Sequence, residues 1–375
     1  MNILFVAGGT AGHINPAIAI ADYFKTHLKH ANIKFVGNDS DTFKNLIEKA
    51  GYEFIPIKVA GLHRKISLMN FTRNLNALYL LLKAQFEANA ILKTFKPKIV
   101  IGTGGYTCAA VLMQANRRGI LTAIHEQNAH PGVTNRLLAK KSSIVFLAVK
   151  EAKSKLPKCN SVVVGNPVRK SILNITKQQA RKTLNMDDNF CILSFGGSLG
   201  ARKINEIAAD LMEWHCKFKK INHIHAMGKL GSDYFPKMLN ERNIVPAKNP
   251  RLIIRNYIHN MDVCLACCDL VICRAGALTL AEIQATGTPA ILIPSPNVTH
   301  NHQYYNAMIL QKNRAAIVVE EKNYNKFKLI KLVNSLYENK SLLHEFSRNS
   351  KLLAMPDSTK LIFDNIMLLL KNGKF

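Results

Sequence analysis

Four times along this chain an apolar run of strand length ends in a glycine-rich loop and resumes as a helical stretch. That recurrence restricts the fold more than any single motif does. Asn2–Ala7 leads into GGTAGH, Lys98–Ile101 into GTGGY, Phe190–Phe195 into GGSLG, and Asp269–Cys273 into RAGALT. Strands alternating with helices build parallel sheets joined by right-handed crossovers. Ligands on such sheets sit outside the carboxyl ends of the strands, where all four loops fall. In the first loop, Asn15 reads as an N-cap and Pro16 as the first helical residue, because the proline lacks an N–H that would be unpaired there. A glycine loop opening a helix exposes backbone N–H groups and the positive end of the helix dipole, which favours a phosphate or another anion.

The chain has 375 residues, more than one core normally organises, so two α/β domains are expected. The break falls where Gly165, Asn166 and Pro167 interrupt the periodicity, giving domains 1–165 and 166–345. Residues 346–375 carry Leu361, Ile362, Ile366 and Leu369 at helical spacing and predict a last amphipathic helix that packs back on the first domain. No apolar run approaches the roughly eighteen residues of a membrane span, and no signal-peptide pattern opens the chain. Eight cysteines, several in apolar runs, fit reduced thiols and a cytoplasmic protein. A net charge of +27 points to anionic partners. Without a zinc-finger spacing, an RNP signature or a basic leucine-zipper helix, that charge does not single out nucleic acid.

Several motifs admit two readings. The glycines at 8, 9 and 12 do not match the G-x-G-x-x-G dinucleotide fingerprint. Asp39-x-Asp41 is better read as a helix start, capped by Ser40 or Asp39 and stopped at Gly51, than as a metal pair. Cys264, Cys267, Cys268 and Cys273 offer one C-x-x-C where a structural zinc site needs two pairs, so buried thiols are expected. Thr279 and Glu282 form either a capping box or, in the functional reading, a carboxylate that accepts two ribose hydroxyls. Glu126, in HEQNAHPG, is either a satisfied loop carboxylate or an acid/base group beside His13. In the region Leu62–Phe86, Leu75, Leu78, Tyr79, Leu82 and Phe86 predict the buried stripe of a crossover helix. Leu80 and Leu81 widen the apolar arc, and Arg64, Lys65, Arg73 and Lys83 flank it, which suits docking on an anionic membrane surface.

Taken in order, AGGTAGHINPAIAIA, GTGGY, HEQNAHPGVTNRLLAK, VVVGNPVR, FGGSLGARKINE, CRAGALTLAEIQATGTPAILIP and NHQYYNA resemble the MurG family of peptidoglycan N-acetylglucosaminyltransferases over about Ile3 to Ala307. The resemblance implies a GT-B fold: two Rossmann-like α/β domains facing across a cleft. It implies inverting transfer of GlcNAc from UDP-GlcNAc to undecaprenyl-pyrophosphoryl-MurNAc-pentapeptide, by a peripheral protein on the cytoplasmic face of the inner membrane, with cell-wall synthesis proteins as possible partners and without a cofactor or metal. It assigns Thr10, Ala11, Gly12 and Asn128 to donor contacts, and Arg169 and Ser198 to the nucleotide phosphates. Ile258 corresponds to the residue packed near the uracil, and Ala277, Leu278, Thr279, Leu280, Ala281 and Glu282 to the nucleoside stretch, with Glu282 on the ribose. Gln303 corresponds to the glutamine that reads the sugar. Gly9, Gly104, Gly105 and Tyr106 fall in the loops expected to serve the acceptor and its pyrophosphate. The acceptor hydroxyl must lose a proton as it attacks; His13 is the first candidate for that base, and Glu126 the second, as base or as the group orienting the acceptor.

The chain departs from the family pattern at Ala11, which replaces a usual glycine, at TCAAVLM after GTGGY, and at Asn301, where many members carry aspartate. Two other classes stand beside the transferase: a UDP-GlcNAc 2-epimerase on a similar fold, and a non-catalytic binder of anionic surfaces or nucleic acid driven by charge alone.

Overall fold

The computed structural model describes residues 1–60 and 68–372. The chain divides into two compact units, Met1–Val168 with Met355–Phe375, and Arg169–Ala354. The first contains β1 (Asn2–Ala7), α1 (Ala11–His27), β2 (Asn32–Asn38), α2 (Asp41–Lys49), β3 (Glu53–Ile57), α3 (Leu68–Phe95), β4 (Ile99–Gly102), α4 (Tyr106–Arg117), β5 (Leu121–Glu126), α5 (Val133–Ala139), β6 (Ile144–Leu147) and β7 (Ser161–Val163). The second runs through α6 (Lys170–Leu173), α7 (Lys177–Thr183), β8 (Cys191–Phe195), α8 (Arg202–Phe218), β9 (Asn222–Ala226), α9 (Phe235–Asn240), β10 (Leu252–Arg255), α10 (Met261–Cys267), β11 (Leu270–Cys273), α11 (Ala277–Thr286), β12 (Ala290–Leu292), α12 (His302–Lys312), β13 (Ala316–Val318), α13 (Lys326–Glu338) and α14 (Lys340–Leu352). The last helix, α15 (Ser358–Asn372), returns to the first unit. The boundary expected at 345 falls inside α14, which belongs wholly to the second unit, and Asn166–Val168 stay with the first.

Both sheets are parallel throughout, in the orders β3-β2-β1-β4-β5-β6-β7 and β10-β9-β8-β11-β12-β13. Each order reverses once, between β1 and β4 and between β8 and β11. At such a reversal the loops leaving the two central strands diverge and open a crevice. Alternation explains the buried central strands: Ile3, Phe5 and Ala7 pack on one face with α1 and α15, and Leu4 and Val6 on the other with α3 and α4. Phe363 of α15 meets Phe24 of α1 edge-on at 4.9 Å, and the Ser358 hydroxyl donates to Gly165 O at 3.0 Å, so the tail closes the first core.

Two local expectations change. Helix α1 begins at Ala11 with Thr10 as N-cap, so Pro16 lies inside the helix and Asn15 is not the cap. Pro16 removes the helical bond to Gly12 O, but the Thr10 carbonyl already accepts from His13 and Ile14, so the first turn forms ahead of the proline. His13 therefore rides on that first turn, and Ala11 takes a helical backbone that needs no left-handed freedom.

The stripe expected to be the buried face of α3 is instead its exposed one. Leu75, Leu78, Tyr79, Leu82 and Phe86 are 51–77% exposed, while Ala77, Ala84, Ala88 and Leu92 are buried and Leu81 half-buried. Both stripes have helical period; the small-residue one lets α3 approach α4 and the sheet closely. Leu62, Arg64 and Lys65 lie outside the described residues, as does the side chain of Arg73.

Ser40 caps α2, accepting from Phe43 N at 3.4 Å, and Gly51 ends it at φ +77°. Cys264, Cys267, Cys268 and Cys273 are buried free thiols, and burial pushes Cys273 well above the usual thiol range.

Beneath the β8–β9 pair lies a buried chain of imidazoles. His215 and His223 share a hydrogen bond of 3.0 Å, and the Ser194 hydroxyl bridges His223 at 2.8 Å and His225 at 2.7 Å. Burial holds all three below the usual histidine range, His215 at about 4 and His225 at about 3. They fold neutral, whereas the unfolded chain protonates near pH 6.5, so their contribution is complete above about pH 6.5 and is lost as the pH falls toward 4. The single tryptophan, Trp214, adjoins His215 in this unit and reports its unfolding. The unfolding free energy from urea titration of Trp214 fluorescence should hold steady above about pH 7 and fall by about 1.4 kcal/mol per pH unit, for each imidazole that charges only on unfolding, below about pH 6.5, and the midpoint should fall with it. A midpoint flat down to pH 5 contradicts this.

The close approach of Gly8 and Gly105 gives a second prediction. A Cβ on Gly105 would lie 2.4 Å from Gly8 Cα, at a φ of +92° that L residues avoid. Gly105→Ala should cost about 2–4 kcal/mol by chemical denaturation, combining overpacking with the left-handed backbone.

Candidate functional site

At the reversal of the first sheet, Gly8 from the β1 loop and Gly104–Gly105 from the β4 loop pack back to back. The His13 imidazole covers Gly104, where a Cβ would sit 2.8 Å from its Cε1. Thr103 Oγ1 donates to His13 O at 2.7 Å and its N–H to Val6 O at 3.0 Å, which ties the two loops together. Gly9 is exposed on the first loop and Gly12 on the first turn of α1, and Tyr106 is half-exposed at the start of α4. The departing stretch TCAAVLM is the buried face of that helix, with Cys108 Sγ donating to Val6 O at 3.2 Å.

His125, at the end of β5, is fully buried. Its Nε2–H donates to Gly165 O at 2.9 Å, and its Nδ1 accepts from Gln127 Nε2 at 3.1 Å. Burial pulls it down to about 4, opposed by the Gly165 carbonyl and aided by the nearby His13, so His125 stays neutral. Gln127 also donates to Thr103 O at 2.9 Å, linking the β5 and β4 loops.

Glu126 has the bland role. It is 1% exposed, and both oxygens are occupied. Oε1 accepts from Asn128 N at 2.9 Å and Asn128 Nδ2 at 3.3 Å, and Oε2 from Gly132 N at 2.9 Å and Asn135 Nδ2 at 2.8 Å. Four donors on one carboxylate describe a group that shapes the Gln127–Gly132 loop rather than one poised to collect a proton. Asn128 is held by the same carboxylate.

The second sheet carries a cavity of about 580 Å³ at its own reversal. Gly196, Gly197 and Gly200 of the β8 loop, Arg274, Gly276 and Thr279 after β11, and Gln303 of α12 line it. Two helix N-termini, α8 and α11, open at these loops, a setting that suits phosphate. Arg274 lines the cavity, donating to Ile293 O at 3.1 Å and pairing with Glu321. Gln303 Oε1 accepts from Ser295 N at 2.9 Å, which leaves its NH2 as the end that can serve a ligand. Asn301 precedes α12 in the left-handed region at φ +52°, after His300 at φ +55°, a conformation asparagine tolerates.

Gly276 is the N-cap of α11, so Thr279 stands within the first turn and Glu282 in the second. The capping-box reading is thereby excluded. Glu282 instead binds Arg169, whose Nη2 and Nε approach its Oε1 at 3.2 and 3.3 Å. Burial pushes the Glu282 carboxyl up from its ordinary value, and the Arg169 charge opposes that shift. Ala277, Leu278 and Ala281 are half-buried along α11, Leu280 and Ile258 are buried, and Ser198 is exposed at the tip of the β8 loop. The cavity is built from the second unit alone; Thr10, Ala11, Gly12 and Asn128 belong to the first. Sequence reasoning passed over Arg274, Arg202 and Lys203, all of which line the cavity. For Arg274 a signal existed: a cation directly after a strand and before a helix N-terminus.

The second-unit cavity and the paired glycine loops can be set beside known proteins. The chain is 38% identical over 374 residues, 99% of each chain, to the UDP-N-acetylglucosamine–N-acetylmuramyl-(pentapeptide) pyrophosphoryl-undecaprenol N-acetylglucosamine transferase of Acetivibrio thermocellus. The crystal structure of Acinetobacter baumannii MurG superposes with a TM-score of 0.77 at 27% identity, covering 98% of this chain and 99% of that one. The UDP-GlcNAc 2-epimerase of Neisseria meningitidis, at 14% identity and a TM-score of 0.67 over 98% of this chain and 100% of its own, shares the fold alone. The glycosyltransferase family 28 N-terminal domain matches residues 3–147 and the C-terminal domain residues 191–362. The chain belongs to glycosyltransferase family 28.

Proposed function

We infer that this chain transfers GlcNAc from UDP-GlcNAc to undecaprenyl-pyrophosphoryl-MurNAc-pentapeptide, the lipid-linked acceptor of peptidoglycan synthesis. The observation that carries the reading is the second-unit cavity, where two helix N-termini and Arg274 converge beside Gln303, with Glu282 one turn further along α11. UDP leaves with two negative charges, and a preorganised set of N–H groups and a guanidinium stabilises charge as it develops. Ser198, exposed at the tip of the same β8 loop, is the hydroxyl we assign to the nucleotide phosphates.

In the first unit, His13 is the candidate base. It stands on the first turn of α1, half-buried over Gly104, and an unperturbed imidazole titrates near neutrality. Glu126 serves as a positioning group that holds Asn128 and the loop beside it. The glycine loops, with Gly9, Gly12 and Tyr106 at their exposed edge, suit the acceptor's pyrophosphate.

The exposed α3 stripe supports a peripheral seat on an anionic bilayer, at the cytoplasmic face where a UDP-sugar and a lipid-linked acceptor meet. Among the described residues no helix is long and apolar enough to cross a membrane. Leu75, Leu78, Tyr79, Leu82 and Phe86 give one face for the acyl boundary, and the +27 chain charge gives the attraction.

Incubation with labelled UDP-GlcNAc and the lipid acceptor in detergent micelles should move label into the lipid phase. Release of N-acetylmannosamine or its nucleotide without acceptor would instead mark a 2-epimerase. His13→Ala should lower kcat by about 10²–10⁴-fold with donor binding retained; near-normal turnover removes His13 as the base. Replacing Leu82 and Phe86 with serine should weaken sedimentation with phosphatidylglycerol vesicles by about tenfold or more while leaving the urea midpoint unchanged. Unaltered vesicle binding would dismiss α3 as the docking face.

A further inference from the structure

Arg169 and Glu282 are separated by 113 residues, yet Arg169 directs two N–H groups at one carboxylate oxygen. Arg169 is the N-cap of α6, and α6 packs against α10 and α11. Its side chain is half-exposed, whereas that of Glu282 is only 18% exposed. Both nitrogens reach Oε1, and no described residue donates to Oε2. A carboxylate offers about four acceptor directions, so this grip leaves the Oε2 pair open.

We propose that Arg169 is a positioning residue for the nucleotide's ribose: from α6 it holds Oε1 of Glu282 and leaves Oε2 to accept the ribose hydroxyls. The proposal rests on the reading of the cavity as a UDP-GlcNAc site. It departs from the resemblance, which set Arg169 beside the phosphates. The physical need is plain. An ionised carboxylate accepts from both ribose hydroxyls more strongly than a neutral carboxyl, and burial on α11 works against ionisation. Arg169 from α6 favours the charged form, and Asp262 from α10 opposes it. Removing the guanidinium leaves a buried carboxyl facing a like charge, and Glu282 then gains a proton as the pH falls.

The test is calorimetric titration of the full chain with UDP and with 2′,3′-dideoxy-UDP at a higher pH, about 8.5, and a lower one, about 6.5, because protonation of a raised carboxyl grows as the pH falls. R169Q should weaken UDP binding relative to the parent by about tenfold or more at the lower pH, the scale of a lost charge-assisted hydrogen bond, and by less at the higher. The penalty should vanish with dideoxy-UDP and in an E282Q background. R169K, which keeps the charge but not the two-nitrogen grip, should bind less tightly than the parent with a much flatter pH response, and it carries the test if R169Q does not fold. A penalty equal at both pH values and retained by dideoxy-UDP overturns the proposal and returns Arg169 to the phosphates. E282Q binding UDP as tightly as the parent removes the ribose role of Glu282, and the proposal with it. A parent that does not bind UDP fails the donor reading itself.

Discussion

The structure depends on two polypeptide loops touching without side chains between them. In each parallel sheet the strand order reverses once, and the central strands deliver their loops to the same edge. At the first reversal, Gly8 and Gly105 approach so closely that a Cβ on either would lie 2.4–2.8 Å from the other's Cα. That contact requires glycine, and it sets Thr103, Gly104 and the first turn of α1 in fixed relation. His13 takes its place over Gly104 as a consequence. The second unit applies the same topology to another end: the β8 and β11 loops hold a cavity open, lined by backbone and two helix N-termini.

Around both loops, several of the polar side chains are held by the protein itself before a ligand is considered. Glu126 spends both oxygens on its own loop, His125 is fixed between Gly165 and Gln127, and Gln303 is turned by Ser295. Such partners hold side chains in one orientation at little further entropic cost on binding. The groups that keep unused capacity are therefore informative: the NH2 of Gln303, Oε2 of Glu282, and the exposed N–H groups of the glycine loops.

Much of this was legible in the sequence because it follows from periodicity. The alternation of apolar runs with helical stretches gave two parallel-sheet units, and the glycine loops marked the ligand edge. What was not legible depends on which of two equivalent patterns the packing chooses. On α3, the large-residue stripe and the alanine stripe have the same period, and the smaller one is buried because α4 lies close. Pro16 reads as a helix start, but Thr10 can cap one turn earlier, and that moves His13 from loop to helix. The T-x-x-E spacing fits a capping box, but Gly276 takes the cap and frees Glu282 for Arg169, a partner no local window contains. Arg274 opens the RAGALT motif without standing out from it, since its role comes from the loop's direction rather than its composition.

We propose that the switch-point loops of the second unit hold the donor nucleotide. Hydrogen–deuterium exchange of the full chain with and without UDP tests it most directly. Bound UDP should slow exchange in the β8 loop through the first turn of α8, in the stretch from Arg274 to Glu282, and around Ser295 to Gln303. Protection confined to the smaller cavity of about 320 Å³ between Tyr304 and Leu332, with those loops unchanged, would contradict it.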